Sequence, residues 1–155
     1  MHEIVAVEHY SDSLDSMAGV EFYSGVLCAG FVNAHSHLEL AYLKGAIPER
    51  GGFAAFAESM GRVRGAFSAE ERLSAIAEAD SAMWQEGVDV VGDIVNGVTS
   101  FATKASSKIH YHSFVEVFGL RECNLERQRE LLNYPNTSLT PHSIYSVQDA
   151  PFREV

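Results

Sequence analysis

Two histidines separated by one residue, His35 and His37, are the first residues of this 155-residue chain whose types and spacing suggest chemistry. They follow a short apolar run that contains Phe31 and Val32, so the sequence places them at the end of a predicted β-strand. Side chains two apart on a strand point to the same face, where two imidazoles can bind one metal ion, zinc above all. A His-x-His pair alone is usually a coincidence, so its surroundings must decide.

Three more polar residues, Asp93, Glu116 and His142, fall near the ends of later predicted strands. Helical segments separate the four strands, which are predicted at residues 31–34, 88–94, 109–118 and 137–141. This alternation is typical of parallel β-α units, in either a doubly wound sheet or part of a (β/α)8 barrel. Functional residues in both architectures collect beyond the carboxyl ends of the strands, so we expect these residues and the histidine pair to share a site.

The segments between the strands carry helix signals. Ser68 and Glu71 form a capping-box pattern at the start of a helix that Gly87 ends, although Asp80 interrupts its apolar side. Weaker signals predict a helix over residues 53–67, a helix over residues 120–134 and a last helix capped by Ser146. The stretch 96–104 is predicted to be a polar connection, and Trp84 and the phenylalanines are predicted to be core.

Residues 1–28 differ from the rest of the chain. Two strands are predicted there, at residues 4–8 and 20–27, with a stretch rich in Ser, Asp and Gly between them. Two short strands are only marginally stable in water, so this piece needs partners. We therefore divide the chain into a remnant of a small β-domain, residues 1–28, and a set of β-α units, residues 29–155.

Composition excludes several classes of partner. The formal net charge is −10 and the Lys and Arg residues are scattered, which argues against nucleic acid or an anionic membrane surface. Cys28 and Cys123 lie far apart and form no metal-finger pattern, so a disulfide framework is not expected and a reducing cytoplasm is the simplest location. No membrane span or signal peptide is predicted. No Gly-rich phosphate loop follows the first strand, which disfavours an unrelated doubly wound binding protein.

Three segments together carry a family resemblance. Gly30-Phe31-Val32-Asn33-Ala34-His35-Ser36-His37 resembles the first-strand signature of the amidohydrolase superfamily, in its cytosine-deaminase and chlorohydrolase-like aminohydrolase branch. Residues 87–94 resemble the second strand of that family, and residues 140–147 resemble its later segment around a conserved Pro-His. The segments Leu38-Glu39-Leu40 and Leu43-Lys44-Gly45 look closer to aminodeoxyfutalosine-deaminase-like members and uncharacterised relatives.

The resemblance implies roles for individual residues. His35 and His37 become metal ligands, with zinc favoured and iron as the alternative. His142 becomes a substrate-contacting histidine beside the metal, and Glu39 is expected to line the pocket. Glu116 is expected either to contact substrate or to form a salt bridge in the barrel mouth.

Two assignments stay open between function and structure. Asp93 is a candidate catalytic residue, with a structural role within the barrel as the equal alternative. His110 and His112 lie on the same predicted strand face as Glu116 and are expected to be packed or solvent-facing rather than catalytic.

The activity that the resemblance implies is hydrolysis of a C–N bond other than a peptide bond. A metal-activated water attacks a ring carbon that bears an amino or chloro group, while acid–base residues protonate the leaving group. The substrate class that the resemblance implies is an amino-substituted nucleobase, nucleoside or triazine-like ring. The local likeness favours an adenine-type nucleoside.

The chain departs from the family pattern in two ways. Ala29 stands where the family usually has Pro, and the family's later His-x-x-Glu, a further His and a late Asp do not occur in this sequence. We therefore expect weak metal binding and little turnover from these residues alone. Four strands also leave two open sheet edges, so we expect a fragment that forms a dimer or associates with another chain. The alternative function is a non-catalytic relative with a residual two-histidine metal site.

Overall fold

A four-stranded parallel sheet organises the computed structural model, which describes residues 4–11, 14 and 17–155. Its strands lie in the order β1-β2-β3-β4 and comprise Phe31–Ser36, Val88–Val95, His110–Val117 and Thr137–Pro141. All three pairings are parallel, so the carboxyl ends of the strands meet at one edge of the sheet. The predicted strands and their order along the chain are confirmed.

Five α-helices follow or connect these strands: α1 Gly52–Val63, α2 Ala69–Gln85, α3 Phe101–Ser106, α4 Leu125–Arg129 and α5 Asp149–Glu154. Two short 3-10 helices, Leu38–Leu43 and Glu130–Asn133, complete the described elements. Helices alternate with parallel strands from β1 onward, which is the architecture of α/β proteins built from β-α units.

Strand β1 contains an irregularity just before the histidine pair. Asn33 lies opposite Val91 and Ser36 lies opposite Asp93, so three steps along β1 match two steps along β2. Irregularities of this kind bend a strand and redirect the side chains that follow it. The bend therefore lies where the chain leaves β1 and places His37.

One face of the sheet is buried under the helices. Ile76 of α2 is completely buried with Val91 and Tyr111, and Phe101 of α3 packs with Val95 in a second cluster. The opposite face is open in the described part of the chain, where Val32 is 65% exposed and Val90 is 39% exposed. The core therefore lies on the helix side.

The capping box predicted for α2 is confirmed. The Glu71 backbone N–H donates to Ser68 Oγ at 3.2 Å, and the Ser68 N–H donates to Glu71 Oε2 at 2.7 Å. Gly87 ends the helix with a φ of +85°, a backbone conformation that glycine adopts without strain.

Three helix predictions need correction. The supposed polar connection at 96–104 contains the start of α3, because buried Phe101 anchors a helix there. The helix expected over 120–134 begins only at Leu125 and tightens into a 3-10 turn. Ser146 does not cap α5, which begins after Gln148, because its hydroxyl hydrogen-bonds His142 and Ser143 instead.

Several residues predicted to be core are exposed. Trp84 is 39% exposed, and the exposed phenylalanines are Phe22, Phe31, Phe53, Phe56, Phe118 and Phe152. An apolar side chain is buried only where another element covers it. The apolar side of α1 illustrates this, because Phe56 and Met60 line a cavity instead of packing into a core.

The two strands predicted near the amino terminus do not form among the described residues. Residues 4–11 and 20–29 contain no strand, and Val5 and Leu27 are more than 90% exposed. An extended segment becomes a strand only when a neighbour accepts its hydrogen bonds, and no such neighbour lies beside these segments in the part described. The division at residue 28 stays a prediction.

Two further properties follow from the described residues. None of the helices that they form is long and apolar enough to cross a membrane. Cys28 and Cys123 are both free, as the sequence analysis expected.

Candidate active site

A cavity of about 800 Å³ opens at the carboxyl edge of the sheet. Three of the residues selected from the sequence line it, namely His37, Glu116 and His142. They follow or end three different strands, which confirms that the parallel arrangement brings them together. His35, Glu39 and Asp93 are not among the lining residues.

The two histidines of β1 lie side by side. Their ring centroids are 5.2 Å apart with an angle of 66° between the planes. His35 is exposed and His37 is half-buried, with Nδ1 of His37 buried and without a hydrogen-bond partner among the residues that the structure describes. Burial lowers the pKa of His37, and the negative charge of Glu116 opposes this. The neutral imidazole that results is the form that binds metal ions.

The metal that the family resemblance implies fits this pair only in part. A catalytic zinc takes three protein ligands and leaves one position open. Within residues 4–11, 14 and 17–155, no group of three or more His, Cys, Asp or Glu side chains is arranged to hold a metal ion. The unpartnered Nδ1 of His37 and the neighbouring ring of His35 suit two of the ligand positions.

Asn96 connects the two glutamates of the site. Its side-chain Nδ2 donates to Glu116 Oε2 at 2.8 Å, and its backbone N–H donates to Glu39 Oε1 at 3.1 Å. Burial raises the pKa of Glu39, and the hydrogen bond from Asn96 opposes this. Glu39 therefore lies behind Asn96, while Asn96 and Glu116 face the cavity.

The backbone of Glu116 is fixed from the side of α4. Gln128, which is almost fully buried, donates through Nε2 to the Glu116 carbonyl oxygen at 2.8 Å. Asn124 donates to the same oxygen at 3.2 Å and accepts from the Phe118 N–H at 2.8 Å. These side chains hold the end of β3 where its pairing with β2 has stopped and its pairing with β4 continues. Glu116 itself is only 8% exposed.

Asp93 lies on the other face of the sheet. It is completely buried on the helix side, where Oδ1 accepts from the Leu38 N–H at 2.7 Å and Oδ2 lies 2.5 Å from Lys104 Nζ. Lys104 also donates to Ser113 Oγ at 2.7 Å, and burial lowers the pKa of this lysine while the Asp93 charge opposes the shift. This position does not bring Asp93 into the cavity, and a catalytic role for it stays a prediction.

The remaining histidines differ in their surroundings. His142 is exposed at the cavity, and its Nδ1 lies 2.9 Å from Ser146 Oγ and 3.2 Å from Ser143 Oγ. His112 lies on the open face with Nε2 at 2.9 Å from Ser138 Oγ, and His110 is exposed. Neither His110 nor His112 lines this cavity.

Two solved structures are similar to this chain in fold. The crystal structure of Helicobacter pylori aminofutalosine deaminase in complex with methylthio-coformycin matches 79% of this chain at 27% identity, with a TM-score of 0.69. The chain resembles an amidohydrolase-family deaminase. A second crystal structure of the same enzyme matches the same share at 24% identity and a TM-score of 0.60, which bears on the fold alone.

The match to the deaminase is partial. This chain spans about a third of the deaminase, 32% of that chain in the first structure and 30% in the second. The matched part is the amino-terminal part of a TIM-barrel enzyme, which confirms the predicted α/β class and the half-barrel reading. No family model and no curated protein matches the sequence significantly.

Sequence reasoning missed three polar residues that line or support the candidate site. Asn96 follows β2 by one residue, so the rule that led to Asp93 and Glu116 could also have identified it. Gln128 and Lys104 lie on helices, where their polar side chains gave no sign that they would be buried beneath strand ends.

Proposed function

We propose that this chain forms the first four β-α units of a metal-dependent deaminase of the amidohydrolase type. The observation that carries the proposal is the match to aminofutalosine deaminase at a TM-score of 0.69, together with a cavity where His37, Glu116 and His142 meet. By analogy with the methylthio-coformycin complex of that enzyme, the substrate class is an amino-substituted purine nucleoside.

In this proposal the residues of the chain divide the work. His35 and His37 hold one side of a zinc ion, or of an iron ion as the alternative. A bound zinc ion lowers the pKa of its water toward about 7 and so supplies a nucleophile at neutral pH. His142 and Glu116 orient the substrate in the cavity, and the apolar side chains of α1 cover it.

The location and the assembly belong to the same proposal. Two free cysteines suit a reducing cytoplasm. The edges of β1 and β4 have no partner strand in the described residues, so we propose that a second copy or another chain covers them.

Zinc content tests the metal pair. In equilibrium dialysis against excess zinc, the purified chain should bind zinc weakly, and a His35→Ala, His37→Ala double variant should bind none. The chain supplies a matched control, because His110 and His112 have the same spacing on β3. A His110→Ala, His112→Ala variant should keep the zinc of the parent chain. Equal zinc in all three proteins would contradict the proposed site.

Ammonia release tests the reaction. The zinc-loaded chain is incubated with adenosine, and the His35→Ala, His37→Ala variant serves as the blank. Ammonia release above that blank supports the deaminase proposal for this chain. Because little turnover is expected from these residues alone, slow release is sufficient support, while zinc binding with no release above the blank contradicts the proposal for this chain and favours the second candidate below.

The second candidate is a non-catalytic relative with a residual two-histidine metal site. It is favoured by one observation: a catalytic zinc needs three protein ligands, and no group of three or more His, Cys, Asp or Glu side chains in the described part of the chain is arranged to hold a metal ion. The two candidates share the zinc result and differ in ammonia release.

A further inference from the structure

Only one of the two carboxylate oxygens of Glu116 accepts a hydrogen bond from the described residues. Asn96 Nδ2 donates to Oε2 at 2.8 Å, while Oε1 accepts no hydrogen bond from the described residues. The glutamate is 8% exposed and lines the cavity. An ionised carboxylate oxygen only accepts hydrogen bonds, so Oε1 can accept one from a donor group of a ligand in the cavity.

The contribution of Asn96 to folding stability does not by itself explain the orientation of its side-chain amide. Its Oδ1 is buried and has no partner in the part of the chain that the structure describes, which costs free energy. The opposite orientation of the amide would place Oδ1 against the acceptor-only carboxylate of Glu116, so the contact with Glu116 fixes the amide. The backbone of Asn96 is held at the same time by Glu39.

We propose that Glu116 accepts a hydrogen bond from an N–H or O–H group of the ligand and that Asn96 is the residue that positions Glu116 for it. The ligand class is a nucleoside whose donor is either a ring-bound amino group or a sugar hydroxyl. This inference rests on the proposed function only in treating the cavity as the substrate site.

The contacts around Glu116 support these two roles, in which Glu116 accepts from the ligand and Asn96 positions Glu116. Gln128 and Asn124 fix the backbone of Glu116, so only the side-chain torsions remain to be set. Asn96 sets them from the neighbouring strand end. Charged acceptors form the stronger hydrogen bonds, so a correctly aimed Glu116 discriminates between ligands with and without the donor.

Calorimetric titration of the zinc-loaded chain tests the proposal with three probes. These are adenosine, purine riboside, which lacks the amino group, and dideoxyadenosine, which lacks the sugar hydroxyls. Glu116→Gln should weaken adenosine binding by about tenfold or more, since a charged hydrogen bond is lost. The probe that lacks the recognised donor should bind both proteins equally, which identifies the donor.

A double-mutant cycle separates positioning from a general structural effect. Asn96→Ala should weaken adenosine binding in the parent chain and have no further effect in the Glu116→Gln background, because Asn96 acts through Glu116. Asn133→Ala and Glu126→Gln, at exposed positions away from the cavity, are the matched controls and should bind adenosine like the parent. The inference would be overturned if the two substitutions weakened adenosine binding independently, so that their fold-changes in affinity multiply. It would also be overturned if the Glu116→Gln protein bound adenosine with an affinity within about twofold of the parent.

The same double-mutant cycle, measured by urea unfolding without ligand, tests the contact between Asn96 and Glu116 independently of ligand binding. Coupling between Asn96 and Glu116 in the free energy of unfolding, combined with no binding of any probe to the parent chain, would overturn the substrate assignment and leave only the contact. Binding without coupling would overturn the positioning role while the proposed function stands.

Discussion

Asp93 joins the residue after the histidine pair to a buried lysine: its Oδ1 accepts from the Leu38 N–H at 2.7 Å, and its Oδ2 lies 2.5 Å from Lys104 Nζ. Both side chains are almost completely shielded from water, at 0% and 5% exposure. The aspartate thus ties the turn that follows His37 to α3. Asp93, which its position in the sequence made a catalytic candidate, therefore supports the site from the helix side of the sheet.

Removing one partner of this ion pair should be costly. Asp93→Ala leaves Lys104 buried and unpaired, and we expect the free energy of unfolding to fall by about 3–5 kcal/mol in urea titration. An Asp93→Asn, Lys104→Met variant removes both charges and should recover much of that loss. Asp149→Ala breaks an exposed pair with Arg153 and should cost less than about 1 kcal/mol. Similar stabilities for Asp93→Ala and Asp149→Ala would contradict this account.

The close approach of β1 to β2 requires glycine at position 92. A Cβ there would lie 2.8 Å from the Ala34 carbonyl oxygen and 3.1 Å from the Phe114 ring. Gly92→Ala should lower the free energy of unfolding by about 1–3 kcal/mol, because β1 must move. Gly61→Ala meets open space within α1 and should leave stability unchanged or raise it by about 1 kcal/mol. A Gly92→Ala protein as stable as the parent would show that the strands are less closely packed.

Glu71 should give α2 a dependence on pH. Its hydrogen bonds with Ser68 lower the pKa of the carboxyl below the ordinary value of 4.5. A carboxyl with a lowered pKa adds stability above its unfolded value, and this contribution is lost as the pH falls through the folded value. The stability difference between the parent and Glu71→Gln should therefore shrink below pH 4.5. Glu70→Gln, in the same turn but outside the capping box, is the control; an identical profile for both variants would refute the assignment to the capping box.

Association should cover the open sheet edges. Light scattering after size exclusion should give a mass that is a multiple of the 17.0 kDa chain. A lysine introduced on the edge strand, Val32→Lys, should shift the equilibrium toward the single chain, since charges on edges oppose strand pairing. The exposed surface position Glu58→Lys is the control. A protease-resistant single chain of 17.0 kDa would refute the association.

The order of the strands along the chain and the sheet edge that carries the candidate site could be predicted because both depend on local pattern. Apolar runs followed by polar residues identify strand ends, and parallel pairing brings those ends together without any knowledge of packing. His37, Glu116 and His142 were found in this way. The face that each side chain occupies was harder, because the irregularity of β1 and the alternation of β2 decide it, and Asp93 points to the helices as a result.

Burial was the poorest prediction, since it depends on what lies opposite. Asp80 interrupted the apolar side of α2, yet its Oδ1 accepts from Tyr111 Oη at 2.7 Å and from Ser107 Oγ at 2.6 Å, so it suits the core boundary. Trp84 matched a core pattern and is exposed, because no described element covers it. Neither the hydrogen bonding of Asp80 nor the exposure of Trp84 can be predicted from the spacing of residues along α2 alone.

The irregular step in β1 also limits how this segment can vary in length. Side chains alternate between faces, so deleting or inserting one residue between Asn33 and Ser36 would transfer the imidazoles to the opposite face of the sheet. Exchange of one side chain for another leaves that alternation intact. Natural and engineered relatives should therefore accept substitutions within β1 at positions other than His35 and should concentrate insertions and deletions elsewhere, in the surface connection at residues 44–51 between the 3-10 helix and α1.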